Sequence, residues 1–248
     1  YINPLNTNTM ASTSELGHNK NVANLAAGIL ILEEMGTLYN PTNANILLSN
    51  LNPIKTELNG TIAVLNEKKP IYKNAVAHRE IIIAPLSKKT TKSLNYFKSL
   101  SVSATDKENV ANQVKKIRGD KSPKKVNPET TESNAISTSQ MSYDSRISNL
   151  DTYINQLASH PEYVPNETEI QIPSLQAYHQ ELVTSSSLVN AAGNALITAR
   201  TNRNNVLYYN PNNIIKLMQE VKAYLKSLGD AGLPYYKAFV KLKFSNIN

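Results

Sequence analysis

Cysteine is absent from the chain, which removes disulfides, thiolate zinc sites and cysteine nucleophiles and leaves the redox compartment open. Tryptophan is also absent, and glycine is held to eight residues in 248, too few for the loops that cradle phosphates. Neither G-x-S-x-G, nor a P-loop, nor G-x-G-x-x-G occurs. The four histidines, His18, His78, His160 and His179, show no H-x-x-x-H or H-E-x-x-H spacing and no acidic cluster to complete a metal set. No catalytic residue, cofactor site or metal site is therefore assigned, and the expectation is a protein that is not an enzyme and needs no cofactor. Long apolar runs are missing too. The longest, "LAAGILIL" at 25 to 32, falls well short of the roughly 20 residues that span a bilayer, and Glu33 and Glu34 follow it. The reading is a soluble chain, and its start at Tyr1 is compatible with a processed exported protein.

Asparagine is plentiful, at about an eighth of the residues, against ordinary usage. The net charge of +7 is segregated: residues 126 to 199 hold one basic side chain, Arg146, while lysines and arginines gather at 55 to 125 and 200 to 248. Such segregation suits unlike faces meeting in self-association, and equally an anionic partner.

The two halves of the chain align at a constant offset. "YNPTNANILLSNLNPIKTELN" from Tyr39 matches "YVPNETEIQIPSLQAYHQELV" from Tyr163, and the register continues until Arg79 stands opposite Arg203. After a gap of about one helical turn, "SLNYFKSL" at 93 to 100 matches "VKAYLKSL" at 221 to 228. The polar stretch between them reads as a linker. The organisation expected is a polar arm over 1–20, a first helical repeat over 21–118, a linker over 119–142 and a second repeat over 143–248.

Apolar residues at 3-4 spacing predict a long amphipathic helix in each repeat. The seam of the first runs Leu51, Ile54, Leu58, Thr61, Leu65, Lys68, Tyr72, Ala75, Arg79, Ile82. The second runs Leu175, Tyr178, Leu182, Ser185, Val189, Ala192, Leu196, Ala199, Arg203, Val206 over about 173 to 208. Pro70 predicts a kink in the first. Shorter helices are expected at about 21–36, 85–100, 144–159, 212–228 and 233–243. Another is expected over "TDKENVANQVKKIRG", with Thr105 and Glu108 as a capping box and basic residues before Gly119. The fold class is all-α: a tandem duplicated antiparallel helical bundle with two long amphipathic helices and a pseudo-twofold relation.

The segments "AR..RN..LY", "VKAYLKSL", "YYKAFVKLKF", "HREIIIAPLSKK" and "VKKIRG" resemble uncharacterised two-repeat helical proteins of Bacteroidota, across most of residues 39–248. "LYYNPNN" departs from that pattern where a glycine is expected. The resemblance implies the doubled helical architecture and brings no activity, ligand or site.

"RTNRNNVLYYNP", 200 to 211, poses the sharpest question: its arginines and tyrosines could grip a nucleic acid or pack a helix. Arg203 lies on the apolar seam, where an unpaired guanidinium would cost several kcal/mol. If the long helices run antiparallel, Glu57 lies level with Arg203 and Glu181 with Arg79, which makes the glutamates candidate partners. The alternative is that both arginines cap carbonyls or lie half-exposed. Tyr208, Tyr209, Tyr235 and Tyr236 are candidate contact residues, because tyrosine joins apolar area to a hydrogen-bonding tip. The lysine-rich "KKTTK", "VKKIRGDKSPKK" and C-terminus allow unspecific phosphate contact. "RGD" at 118–120 is accounted for by a helix end, and Asn59 and Asn166 match a glycosylation pattern relevant only on a secretory route.

The functional expectation is a structural or interaction protein that self-assembles through helical faces, arms and linker. A scaffold binding another protein and unspecific nucleic-acid binding are the alternatives.

Overall fold

The computed structural model describes residues 13–119 and 142–247. They are helical, with turns and irregular connections and no strand among the described residues. In chain order the helices are α1 (Thr13–Glu34), α2 (Leu48–Ile83), α3 (Leu86–Ser99), α4 (Ala104–Arg118), α5 (Tyr143–Ala158), α6 (Ile172–Asn204), α7 (Ile214–Ser227) and α8 (Leu233–Phe239). A π-helical turn, Asn205–Tyr209, extends α6.

The expected arm over 1–20 is corrected in part: α1 already begins at Thr13, and 1–12 lie outside the described residues. The expected linker falls on 120–141, likewise outside them, apart from its ends. Helix α2 continues through Pro70 without interruption.

The cap of α4 also differs from the expected one. Ser103, not Thr105, is the N-cap, and its hydroxyl accepts from the Asp106 backbone N–H at 3.0 Å. Two phases of the motif compete in "SATDKE", and Ser103 prevails by placing acidic Asp106 in the first turn, against the positive helix end. The other end is as expected. Lys115, Lys116 and Arg118 occupy the last turn, and Gly119 adopts φ 75°, a left-handed conformation that glycine enters without steric cost. Ser142 and Asn213 cap α5 and α7 in the same manner, accepting from Ser145 and Lys216.

Two compact units arise, and they do not coincide with the sequence halves. One comprises the described chain up to Lys69 together with Ala195 onward; the other is Pro70–Asn194. Helices α2 and α6 contribute to both. In the first unit Leu25, Ile29 and Leu32 of α1 share a core with Leu51 and Leu58 of α2 and with Leu217, Val221 and Leu225 of α7, closed by Phe239. In the second, Phe97 of α3, Val110, Val114 and Ile117 of α4, Leu150, Ile154 and Leu157 of α5, and Leu175 and Leu182 of α6 form the core. Burial of several such side chains, each contributing about 1.5–3 kcal/mol, outweighs any capping term.

The entry to each long helix is built alike. The Tyr39 hydroxyl donates to the Ile46 carbonyl at 2.6 Å, across a 3-10 turn at Ala44–Ile46. The Tyr163 hydroxyl donates to the Ile170 carbonyl at 2.8 Å, across Thr168–Ile170. Each ring also meets a second tyrosine edge to face, Tyr39 with Tyr224 and Tyr163 with Tyr96, at 5.4 Å in both cases. Helices α3 and α7 are both 14 residues long, and the extra residues of the second half sit in the π turn and the Asn-rich loop before α7. Because each phenol satisfies a carbonyl at a helix entry, Tyr39→Phe and Tyr163→Phe should each lower stability by about 1 kcal/mol in urea unfolding. Unchanged midpoints in both variants would show that these bonds do not hold the entries.

Candidate functional site

The 3-4 seam read from the sequence is the inward face of both long helices. Along α6 and its π extension, nine of the ten seam positions from Leu175 to Val206 are buried; Ala192 is half-buried. Along α2, Leu51, Leu58 and Leu65 are buried and the other seven positions half-buried. The two seam arginines consequently sit in apolar surroundings, and each is handled differently.

Arg203 is 2% exposed. Its Nε donates to the Oδ1 of neighbouring Asn204 at 3.0 Å. Arg79 is half-buried in the second unit, with its guanidinium carbon 3.7 Å from the centre of the Tyr143 ring. Its Nε is buried without a hydrogen-bond partner, so stacking on the aromatic face is the principal stabilisation seen for this cation. The glutamates do not answer them. Glu57 and Glu181 are exposed, and among the described residues no ion pair joins Glu57 to Arg203 or Glu181 to Arg79. The Tyr178 hydroxyl donates to the Ile82 carbonyl at 2.8 Å, one helical turn from both Glu181 and Arg79. A glutamate on the solvent side of the seam keeps its hydration, whereas a stacked arginine gives up little to bury.

The stretch at 200–211 packs a core through four of its residues and leaves six exposed. Val206, Leu207 and Tyr208 are buried with Arg203, while Arg200 and Tyr209 face solvent. The Tyr208 hydroxyl lies 2.7 Å from His18 Nδ1 and accepts from Asn21 Nδ2 at 3.1 Å. An α1 seam that begins with His18 and Asn21 and continues as Leu25, Ile29 and Leu32 brings two polar side chains into the first unit's core, where Tyr208 meets them. The sequence signal is a pair of polar residues at apolar spacing ahead of an apolar helix; His18 falls in the expected arm and Asn21 at the start of the expected helix. Tyr235 and Tyr236 are half-buried against the same core and Tyr209 is 61% exposed, so of the four candidate contact tyrosines it is Tyr209 that presents itself most openly.

An open groove of about 510 Å³ crosses the second unit. Its walls include His78 and Ile82 of α2 and Gln180, Glu181, Thr184 and Leu188 of α6. Most of these side chains are exposed, and the groove encloses nothing. Among the described residues no group of three or more histidines or acids could hold a metal ion. Lysines of the basic stretch are partly engaged: Lys92 pairs with Glu169, and Lys89 lies over the Tyr178 ring. None of the helices described is long and apolar enough to cross a membrane.

No protein-family model, curated protein or solved structure matches the chain.

Burial holds the phenols of Tyr39, Tyr153, Tyr163 and Tyr178 far above the ordinary tyrosine range, and that of Tyr208 above it. The unfolded chain releases these protons near pH 10, at about the model-peptide value, while the folded chain retains them. Their contribution to stability is thus complete below that pH and is lost as pH rises toward the folded values. The melting temperature should fall steeply above about pH 10, with tyrosinate absorbance appearing in step with unfolding; a flat profile there would contradict the burial. For the stacked cation, an Arg79→Met and Tyr143→Leu double-mutant cycle should return a coupling of about 0.5–2 kcal/mol. Additive effects would mean the ring contributes nothing.

Proposed function

We propose that the chain is a non-enzymatic structural protein that associates with copies of itself through its helical faces. The observation that carries this reading is the exposure of large apolar side chains on the long helices. Ile81 is 70% exposed, Ile197 60%, Leu188 53% and Val64 44%. Val64 and Leu188 occupy matched positions in the sequence alignment of the halves, so the same outward apolar position recurs in both. A helix that already turns one seam inward has no intramolecular use for further apolar groups left exposed to solvent.

The duplication belongs to the same proposal. Matching tyrosine-to-carbonyl bonds, matching 3-10 turns and equal lengths of α3 and α7 support two copies of one ancestral unit, related by a pseudo-twofold axis. Within the second unit, Ile82 meets Tyr178 while Tyr72 approaches Gly193, so numbers fall on one helix as they rise on the other, which supports the antiparallel reading. A duplicated chain with outward apolar positions in each copy offers two similar contact surfaces, the minimum from which an extended or closed assembly can grow.

Sedimentation velocity over a wide range of protein concentration tests the reading. Mass should rise above 27.4 kDa with concentration, and Leu188→Lys with Ile197→Lys should return the protein to the monomer without lowering its melting temperature. A monomer at every concentration overturns the proposal.

A further inference from the structure

The last residues of the chain are held by α1 in an unusual manner. Past Phe239 the chain leaves the helix, and Leu242, Phe244 and Ile247 turn inward while Lys241, Lys243, Ser245 and Asn246 are exposed. Inward and exposed residues alternate from Lys241 to Ser245, and neither helix nor strand covers 243–247. Asn21 does what a neighbouring strand would do: its Nδ2 donates to the Ser245 carbonyl at 2.7 Å, and its Oδ1 accepts from the Ser245 N–H at 3.1 Å. One turn on, Asn24 Nδ2 donates to the Lys243 carbonyl at 2.7 Å. From α7, Lys222 Nζ donates to the Leu242 carbonyl at 3.0 Å.

Glycines flank the asparagines on α1 and let the segment lie close. A Cβ at Gly17 would stand 1.9 Å from Ile247 Cδ1, and one at Gly28 would stand 3.0 Å from the Phe239 ring and 3.5 Å from Leu242. Tyr208 fixes the Asn21 amide from behind, by accepting its other N–H. The α1 face is therefore shaped and polarised to read the backbone of an extended segment, with shallow room for an apolar side chain at intervals.

Two features make this docking reversible. No residue of 241–247 is fully buried, and Leu242, Phe244 and Ile247 pack only partly against the core, so the segment is held less firmly than the core helices. The polar contacts go to its backbone, so any copy of the same segment would satisfy them equally. We infer that the α1 face formed by Gly17, Asn21, Asn24 and Gly28 is a receptor for an extended C-terminal segment, filled here in cis and open to the same segment of a second copy. Exchange of this segment would link copies. The inference rests on the self-association proposed above and supplies one route for it.

The absence of cysteine permits a direct test. Lys20→Cys and Asn246→Cys lie at exposed positions beside the Asn21–Ser245 pair. Full-length chains carrying one substitution each are mixed and treated with a short bismaleimide. A covalent heterodimer should form, increase with concentration, and be suppressed by excess free peptide covering residues 240–248. Asn21→Ala in the Lys20→Cys chain should reduce it at least about tenfold, since two backbone bonds are lost. Should that variant fold poorly, Asn24→Ala replaces it, with a smaller reduction expected. A heterodimer that never forms, while the doubly substituted chain cross-links within itself, overturns the exchange; no cross-link in either case overturns the docking. Sedimentation of the unsubstituted chain keeps the two readings apart. Oligomers without cross-linkable exchange leave self-association standing and remove this route, whereas a strictly monomeric chain removes both.

Discussion

The seam on α2 and α6 is the constraint on which the rest of the structure depends. Each helix has one apolar stripe at 3-4 spacing and contributes part of it to each compact unit, so one periodic pattern must suit two cores. The stripe is almost wholly buried on α6 and mostly half-buried on α2, and its exceptions are informative. Arg79 and Arg203 break the apolar pattern at matched positions. One is laid flat on Tyr143 and the other is enclosed beside Asn204. An apolar stripe accepts such a cation only when an aromatic face or a carbonyl-type oxygen is within reach.

Tyrosine hydroxyls make several of the hydrogen bonds that hold the described residues together. Phenols lock the entries of both long helices, bridge Tyr178 to the Ile82 carbonyl, and anchor His18 and Asn21 in the first core. Each ring supplies apolar area while its hydroxyl satisfies a buried polar group that would otherwise be costly. Asparagine plays a complementary part at boundaries. Asn43 and Asn213 cap, and Asn21 and Asn24 bind the final segment by its backbone. A short amide that both donates and accepts is suited to backbone groups that no helix or sheet has paired.

Much of the helical layout was legible in the residues. The 3-4 seam located α2 and α6 to within a few residues, because a long amphipathic period is a signal that summed burial energy enforces. The basic last turn and Gly119 marked the end of α4 for the same kind of local reason. The start of α4 was misplaced because Ser103 and Thr105 both offer a capping oxygen, and only the real geometry chooses. The helical start at Thr13 is not legible because the polar composition of 1–20 reads as an arm, while His18 has its partner 190 residues away, a separation no local pattern encodes. The ion pairs expected of Glu57 and Glu181 are not formed among the described residues. What periodicity could not show was that both carboxylates face water.

What the sequence determined by itself is the local half of the architecture: helix rather than strand, and which face of each long helix turns inward. These follow from interactions between residues a few positions apart, which composition and spacing record directly. Only the tertiary structure decided that the compact units cut across the two halves, that Arg79 stacks rather than pairs, and that the chain's last residues lie along α1. Those outcomes depend on which distant surfaces meet, and the free energy that selects among them resides in contacts that have no period along the chain.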